Sequence, residues 1–518
     1  MVESIVWLIP LLPLVAALLI VIGYIQGSNR GERGERVTAR LSVAAVSVAL
    51  LLVLLLDIGA LIAWSAPGQI DLARWFASGN YQLRISFHLD LFGLVMTSLV
   101  ALISLLMLRF SVNYMHREAG FQRFFLIMNL FVGGMLLIVM AGSATLLFVG
   151  WELAGVSSYL LIAYAFDRPT ATANATRAFV TNRIGDAALI SAIALSFSWF
   201  GSVEWERLFA GSAELSTIQA DILAAAFLVA ALAKSAQLPF SPWIARALEG
   251  PTPSSAIFYG SLMSHAGIFL VIRLEPLFQE APGLLLIMQL LGLLTALYGY
   301  LGSLVQTDIK SALIFSSTGQ VGLMFLACGL GWFELAAWHL VIHAIWRAYQ
   351  FLQAPALLHL VNRPARPAAA WLRRHNRLYI AVLQRFWLDH LIDWLLVKPT
   401  NSLSRDSDNF DEQVVTRLLG MPTQGSTVST LSEWEQRRRQ GGVSDGAIGQ
   451  GRGVAGVLME RVASALHWFE EHLILKGGGE GLMKLLGLVG GYLQLIDHLL
   501  SRPRYLLLIV MATIVVIL

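Results

Sequence analysis

The chain has 518 residues, 57% of them hydrophobic and 13% charged, and its mean hydropathy is +0.68. A soluble domain of that composition would have to expose most of its apolar surface, so the composition excludes one and implies residence in lipid. A net charge of +3 argues against nucleic acid or another polyanion as partner, and the single Cys328, inside an apolar run, excludes an internal disulfide and a thiol cluster for zinc or iron–sulfur.

Apolar stretches of about 20 residues match a ~30 Å hydrocarbon layer at 1.5 Å per residue. They predict helices near 4–25, 42–65, 89–110, 122–141, 143–166, 178–200, 219–240, 254–275, 282–303, 310–330 and 334–361, with a short last one at 503–518. The expected fold is an all-α polytopic bundle of about twelve transmembrane helices. The first stretch has no small-residue cleavage site and reads as a span, not a signal peptide. Arg30, Arg33, Arg36 and Arg40 in the first loop, and Arg117 and Arg123 after the third span, mark the cytoplasmic side by the positive-inside rule. The 201–218 loop alternates with them and is acidic (Glu204, Glu206, Glu214), which sets the N-terminus in the periplasm of a bacterial inner membrane. Asp57, Asp90 and Asp308 with Lys310 fall near span ends, where solvated or capping roles are expected.

Ionisable residues at membrane depth carry the function, because each is costly there without a partner or a hydrated cavity. Glu152 lies in the fifth span, and Asp186, with Arg183 one turn before it, in the sixth. Lys234 ends the apolar part of the seventh, where Pro239 and Pro242 follow and break the helix. A lysine whose charge is opposed by desolvation and favoured by a nearby carboxylate is a switchable proton carrier. The alternative is an inert Glu152–Lys234 pair fastening two helices. In the eleventh span His339, His343 and Arg347 recur every four residues on one helical face, and His265 in the eighth can meet them. A file of imidazoles passes protons near neutral pH, although histidines also fasten helices and an i, i+4 pair can bind zinc.

The sequence changes character after Val361. Residues 379–399 (YIAVLQRFWLDHLIDWLLVKP) read as an interfacial amphipathic helix, 401–452 as an exposed connector, and a helical pattern resumes over 454–500. The expected organisation is 1–84, N-terminal helices and a periplasmic loop; 85–361, a conducting core; 362–502, a cytoplasmic or interfacial tail that opens with Arg363, Arg366, Arg373 and Arg374; and 503–518, a last helix.

The strings FVGWELAGVSSYLL, AFVTNRIGDAALI, AKSAQLPFSPWIARALEGPTPSSA and LVQTDIKSALIFSSTGQVG resemble the proton-conducting membrane transporters, the antiporter-like subunits of respiratory complex I and Mrp antiporters. By position, the resemblance implies that Glu152 is the family's fifth-helix glutamate and Lys234 its lysine of the broken seventh helix. It likewise makes Asp186 the acid of NRxGD, and His339 and His343 the paired histidines of the eleventh. The sequence departs at Tyr259, where complex I subunits carry a histidine, with His265 displaced from it. Arg347 replaces a lysine. FWLDHLIDWLLVKP follows the eleventh span almost at once, without the helices that bear a second lysine. This shortened pattern resembles the membrane subunit of the DAB inorganic-carbon transporters. That resemblance implies a subunit carrying protons, or alternatively sodium ions, and powering bicarbonate formation. Its partner would be a large zinc-containing, carbonic-anhydrase-like cytoplasmic subunit, with no cofactor in this chain and a dimer of heterodimers as one assembly. The rivals are a subunit of a complex I-like pump or Mrp-type antiporter, and a scaffold that conducts nothing.

Overall fold

The computed structural model describes residues 5–78, 81–354, 368–411 and 490–491. The chain divides after Pro399 into two units. The first begins with α1 (Leu8–Ile25) and α2 (Gly31–Ala63). At 33 residues α2 is about 50 Å long, well beyond the hydrocarbon thickness. Its first turns therefore project past the bilayer, and Arg33, Arg36 and Arg40 ride on a helix and not in the expected loop. Arginine is a good helix former, and Glu32 in the first turn complements the helix dipole. Asp57 is half-buried and accepts a 2.5 Å bond from Ser98 Oγ.

The loop expected between the second and third spans contains a hairpin, β1 (Gly68–Ser78) and β2 (Tyr81–Leu89), paired antiparallel from Gly68–Leu89 to Ser78–Tyr81. Its two-residue alternation, as in YQLRISFHL, is the strand signal, which a search for 20-residue apolar windows passes over. The hairpin base is tied to the core through a bridge from Phe87 to Ala141.

Next come α3 (Leu91–Tyr114), α4 (Phe121–Met140), α5 (Ala144–Ile162) and α6 (Pro169–Phe200). Asp90 caps α3 by accepting from Gly93 N at 2.8 Å, the role expected of it. Gly134 and Gly150 let α4 and α5 approach backbone to backbone, since a Cβ on Gly150 would come 2.5 Å from Gly134 O. α6 starts at Pro169, nine residues before the expected boundary, because a proline at the first helical position is no barrier to a helix. A short α7 (Trp205–Ser212) occupies the acidic loop, with Trp205 Nε1 donating to Ala141 O at 2.8 Å.

α8 (Thr217–Lys234) ends at the lysine. Ala236 follows in the left-handed region (φ +50°), and the Leu238–Pro239 bond is cis before α9 (Pro242–Arg246). The next span is composite: α10 (Thr252–Ser255), a π-helical stretch Ala256–Ser261, and α11 (Met263–Arg273). Its apolar window is buried on all sides, so it is the central rod of the bundle. After α12 (Glu275–Gln279), α13 (Pro282–Ser303) and α14 (Ile309–Gly329) form a glycine-lined pair, and α15 (Phe333–Gln353) returns across the bundle. Asp308 caps α14 through Ser311 N at 2.8 Å.

Among the described residues ten helices are long and apolar enough to cross a membrane, and the protein is a multi-pass membrane protein. α15 falls outside that set because Glu334, His339, His343 and Arg347 lower its hydropathy.

The segment expected to be one amphipathic helix is interrupted. After α16 (Ala370–Arg374), residues 379–399 run through the end of α17 (Asn376–Leu383), a kink of three left-handed residues at Arg385, Phe386 and Trp387, α18 (Leu388–Ile392) and a π-helical turn Asp393–Val397. Two of its carboxylates face the core: Asp389 pairs with Arg246 (2.7 Å) and Asp393 with Arg177 (2.6 Å), while Leu391, Trp394 and Leu395 are exposed. The carboxylates are satisfied by cations of the core, so the apolar face is the outward one. In the second unit, Thr400–Leu518, the described residues are the remainder of α19 (Lys398–Phe410), Asp411 and the helical Gly490–Gly491. The end of the eleventh span at 355–361, most of the connector, the helical pattern at 454–500 apart from those two glycines, and the span at 503–518 lie outside the described residues.

Candidate functional site

Two clusters of ionisable side chains, each with a buried centre, flank the break after α8. In the first, the break leaves Lys234 at a helix end with its Nζ free to reach across to α5. The residue is 1% exposed, and Nζ donates to Trp151 O at 2.8 Å and lies 4.8 Å from the centre of the Trp151 ring. In an α-helix that carbonyl already serves the N–H four residues on, which is Gly155. The missing side chain there is what admits the ammonium: a Cβ on Gly155 would stand 3.3 Å from Lys234 Nζ and 3.5 Å from Arg183 Nη2.

No ion pair joins Glu152 and Lys234 among the described residues, so the alternative of an inert pair between them is not what the structure holds. Arg183 on α6 takes the carboxylates instead, with Nη1 2.7 Å from Glu152 Oε2 and Nη2 2.8 Å from Asp186 Oδ2. Trp151 Nε1 donates to the other Asp186 oxygen at 2.8 Å. The physical reason is reach and shape. The planar guanidinium engages two carboxylates at once from one turn before Asp186, whereas the lysine, on a helix that stops there, meets a carbonyl. Two cations and two anions thus make a balanced set, and one proton lost from Lys234 leaves it with a single negative charge.

The second cluster joins α11 and α15. His265 Nε2 and His343 Nδ1 are 2.8 Å apart, and Arg347 places Nε and Nη2 each 3.4 Å from His343 Nε2. Arg347 is 5% exposed and also donates to Gln350 Oε1 (2.9 Å) and Ser316 Oγ (3.0 Å); among the described residues no carboxylate lies at ion-pair distance from it. A guanidinium only donates, so it fixes the whole chain's direction. His343 Nε2 accepts, and its proton is on Nδ1 and points to His265 Nε2. The His265 proton is then on Nδ1, toward Ser264 Oγ at 3.3 Å, whose hydroxyl donates to Tyr259 O at 3.2 Å. His339 stands apart from this chain, bonded to Gln320 Oε1 at 2.9 Å, with its ring edge-on to His343 at 6.0 Å between centroids.

The structure therefore gathers Glu152, Asp186 and Lys234 in one place and His265, His343 and Arg347 in another, with His339 beside the latter. No hydrogen bond or ion pair joins the two sets among the described residues. They adjoin through packing: Ser235, next to Lys234, has its hydroxyl against Gly267, two residues beyond His265. Ser235 Oγ and Gln237 Oε1 in the break are buried and have no protein hydrogen-bond partner. Sequence reasoning missed Trp151, Gly155, Gln320 and Ser316. The only available signal was the glycine one turn after the tryptophan in WELAG.

Residues 75–125 match the family described as NADH-ubiquinone oxidoreductase (complex I), chain 5 N-terminus, and residues 141–383 the family described as NADH:quinone oxidoreductase/Mrp antiporter, TM. Residues 75–125 and 141–383 are thus similar to antiporter-like membrane subunits. The chain is 36% identical over 360 residues to the chloroplastic NAD(P)H-quinone oxidoreductase subunit 5 of Piper cenocladum, over 68% of this chain and 48% of that protein. The corresponding protein of Ipomoea purpurea is also 36% identical, over 68% and 50%. The chain thus spans about half the length of these curated relatives. Among solved structures, a chain of the Mrp complex from Dietzia sp. DQ12-45-1b superposes with a TM-score of 0.58 at 25% identity, over 67% of this chain and 37% of that one. A chain of an archaeal membrane-bound sulfane sulfur reductase shares the fold, with a TM-score of 0.58 at 19% identity over 67% and 70%.

Proposed function

We propose that this chain is the proton-conducting subunit of a multi-subunit membrane complex of the complex I or Mrp kind. The observation that carries the reading is Lys234, fully buried at a helix break and held by a single carbonyl beside a shared carboxylate–guanidinium set. Lys234 is the switchable carrier, Arg183 couples it to Glu152 and Asp186, and His265 and His343, flanked by His339, form the relay. Water bonded to Ser235 Oγ and Gln237 Oε1 links the two clusters, as buried polar atoms without protein partners require. Arg347 closes one end of the relay by occupying His343 Nε2, so net passage requires the guanidinium to withdraw. The arginine-bearing end of α2 faces the cytoplasm of a bacterial inner membrane in this scheme.

The test is proton flux into liposomes containing the purified complex. Lys234→Ala and Glu152→Ala are expected to abolish flux with assembly intact; wild-type flux in an assembled Lys234→Ala complex would overturn the proposal.

A second reading is supported by the pins Arg246–Asp389 and Arg177–Asp393, which tie the 385–397 segment straight onto the core soon after α15. Under it the same conduction drives inorganic-carbon uptake with a large zinc-containing, carbonic-anhydrase-like partner. Co-purification separates the two: one large zinc protein supports carbon uptake, and many subunits support a redox-driven or Mrp-type complex.

A further inference from the structure

Where α2 meets α3, an open cleft of about 420 Å³ is lined by Arg36, Arg40 and Arg109 together with Ala39, Val43, Ala44 and Val112. We propose that this cleft is a binding site for an anionic phospholipid, with the phosphate held by the three arginines and an acyl chain on the small-residue floor. The proposal is independent of what the core conducts.

Charge complementarity is the first argument. The acids nearest in sequence are already used: Glu32 pairs with Arg117 and Glu35 with His116, each at 2.9 Å. Among the described residues no carboxylate lies within ion-pair distance of Arg36, Arg40 or Arg109, so three exposed guanidinium groups converge on one cleft with their charge uncompensated.

Depth is the second. From Leu41 to Leu56 α2 carries no charge, and from Leu91 to Leu108 α3 carries none. The two runs end at Arg40 and Arg109, which sets the arginines where hydrocarbon gives way to headgroups. Arg36 and Arg40, four apart on α2, share a face with Ala39 and Val43 beside it, leaving room for a chain below the phosphate. Basic pockets between transmembrane helices at that level suit lipid phosphates, and the fork of a guanidinium matches phosphate oxygens in pairs. A free anion would need only the arginines; the apolar floor below them selects a lipid.

Native mass spectrometry of the full chain in detergent, with phosphatidylglycerol, phosphatidylcholine or inorganic phosphate added, tests this. Phosphatidylglycerol adducts should survive collisional activation on the unmodified protein. The triple variant Arg36→Gln, Arg40→Gln, Arg109→Gln should bind about a hundredfold more weakly, from about fivefold per arginine near the surface. Arg33→Gln, Arg373→Gln, Arg374→Gln removes the same charge outside the cleft and should leave binding within about twofold, because none of the three lines it and the per-arginine attraction falls off with distance. Equal loss in both triple variants, equal retention of phosphatidylcholine, or displacement of the lipid by inorganic phosphate would overturn the proposal.

Discussion

Gly155→Ala tests the lysine site without touching an ionisable group. The new methyl would stand 3.3 Å from Lys234 Nζ, tighter than ordinary van der Waals contact, and 3.5 Å from Arg183 Nη2. The ammonium is the end of a flexible chain and gives way by a few tenths of an ångström, which lengthens its 2.8 Å bond to Trp151 O to the long end of the hydrogen-bond range and weakens it. Losing a hydrogen bond to a charged group costs about 1.5–3 kcal/mol, whereas alanine in place of glycine inside a helix returns about 1 kcal/mol. Stability should therefore change by no more than about 2 kcal/mol, and the charged lysine is held more weakly by the one acceptor it has among the described residues. Weakening the bond by about half is worth about 0.7–1.5 kcal/mol, so at 1.4 kcal/mol per factor of ten proton flux in liposomes should fall about three- to tenfold. Flux within twofold of the unmodified complex, with the variant assembled and a Tm change of only a few degrees, would refute the role given to that contact.

Arg347→Gln should release His343 Nε2. In ¹⁵N-histidine spectra at neutral pH, His343 should report Nδ1–H in the unmodified protein and a tautomer mixture in the variant; identical spectra would contradict the directional chain. Gly299→Ala should loosen the α13–α14 pair by about 2–3 kcal/mol, because its Cβ would come 2.5 Å from Phe315 O, a backbone atom that cannot step aside; thermal unfolding measures it. Glu204, outside the spans, is held above its ordinary value by burial, opposed by a 2.5 Å hydrogen bond from Ser86. A carboxyl with a raised folded value binds more protons folded than unfolded, so its contribution is full below the ordinary value and declines as pH rises through the folded one. Stability should thus fall from about pH 4.5 upward, and Glu204→Gln should flatten that slope in thermal scans across pH.

The residues of the candidate site were legible in the sequence because lipid makes each charge conspicuous: Glu152, Asp186, Lys234, His265, His339, His343 and Arg347 all interrupt apolar runs. The broken helix after Lys234 was legible too, since proline leaves no regular alternative. Partnership was not. Which carboxylate meets which cation depends on the approach of α5, α6 and α8, set by small residues such as Gly155 and Gly185 at contacts far apart in the chain. The sequence thus assigned Glu152 to Lys234, and packing gave it to Arg183.

The same division holds for the fold. Hydropathy and helical period, which are local, determined that the chain crosses a membrane many times and where the charges interrupt it. Only the tertiary structure decided that Asp389 and Asp393 turn inward onto Arg246 and Arg177, and that one guanidinium orders the protons on two histidines. Pairings across helices are settled by geometry that no single stretch of sequence contains.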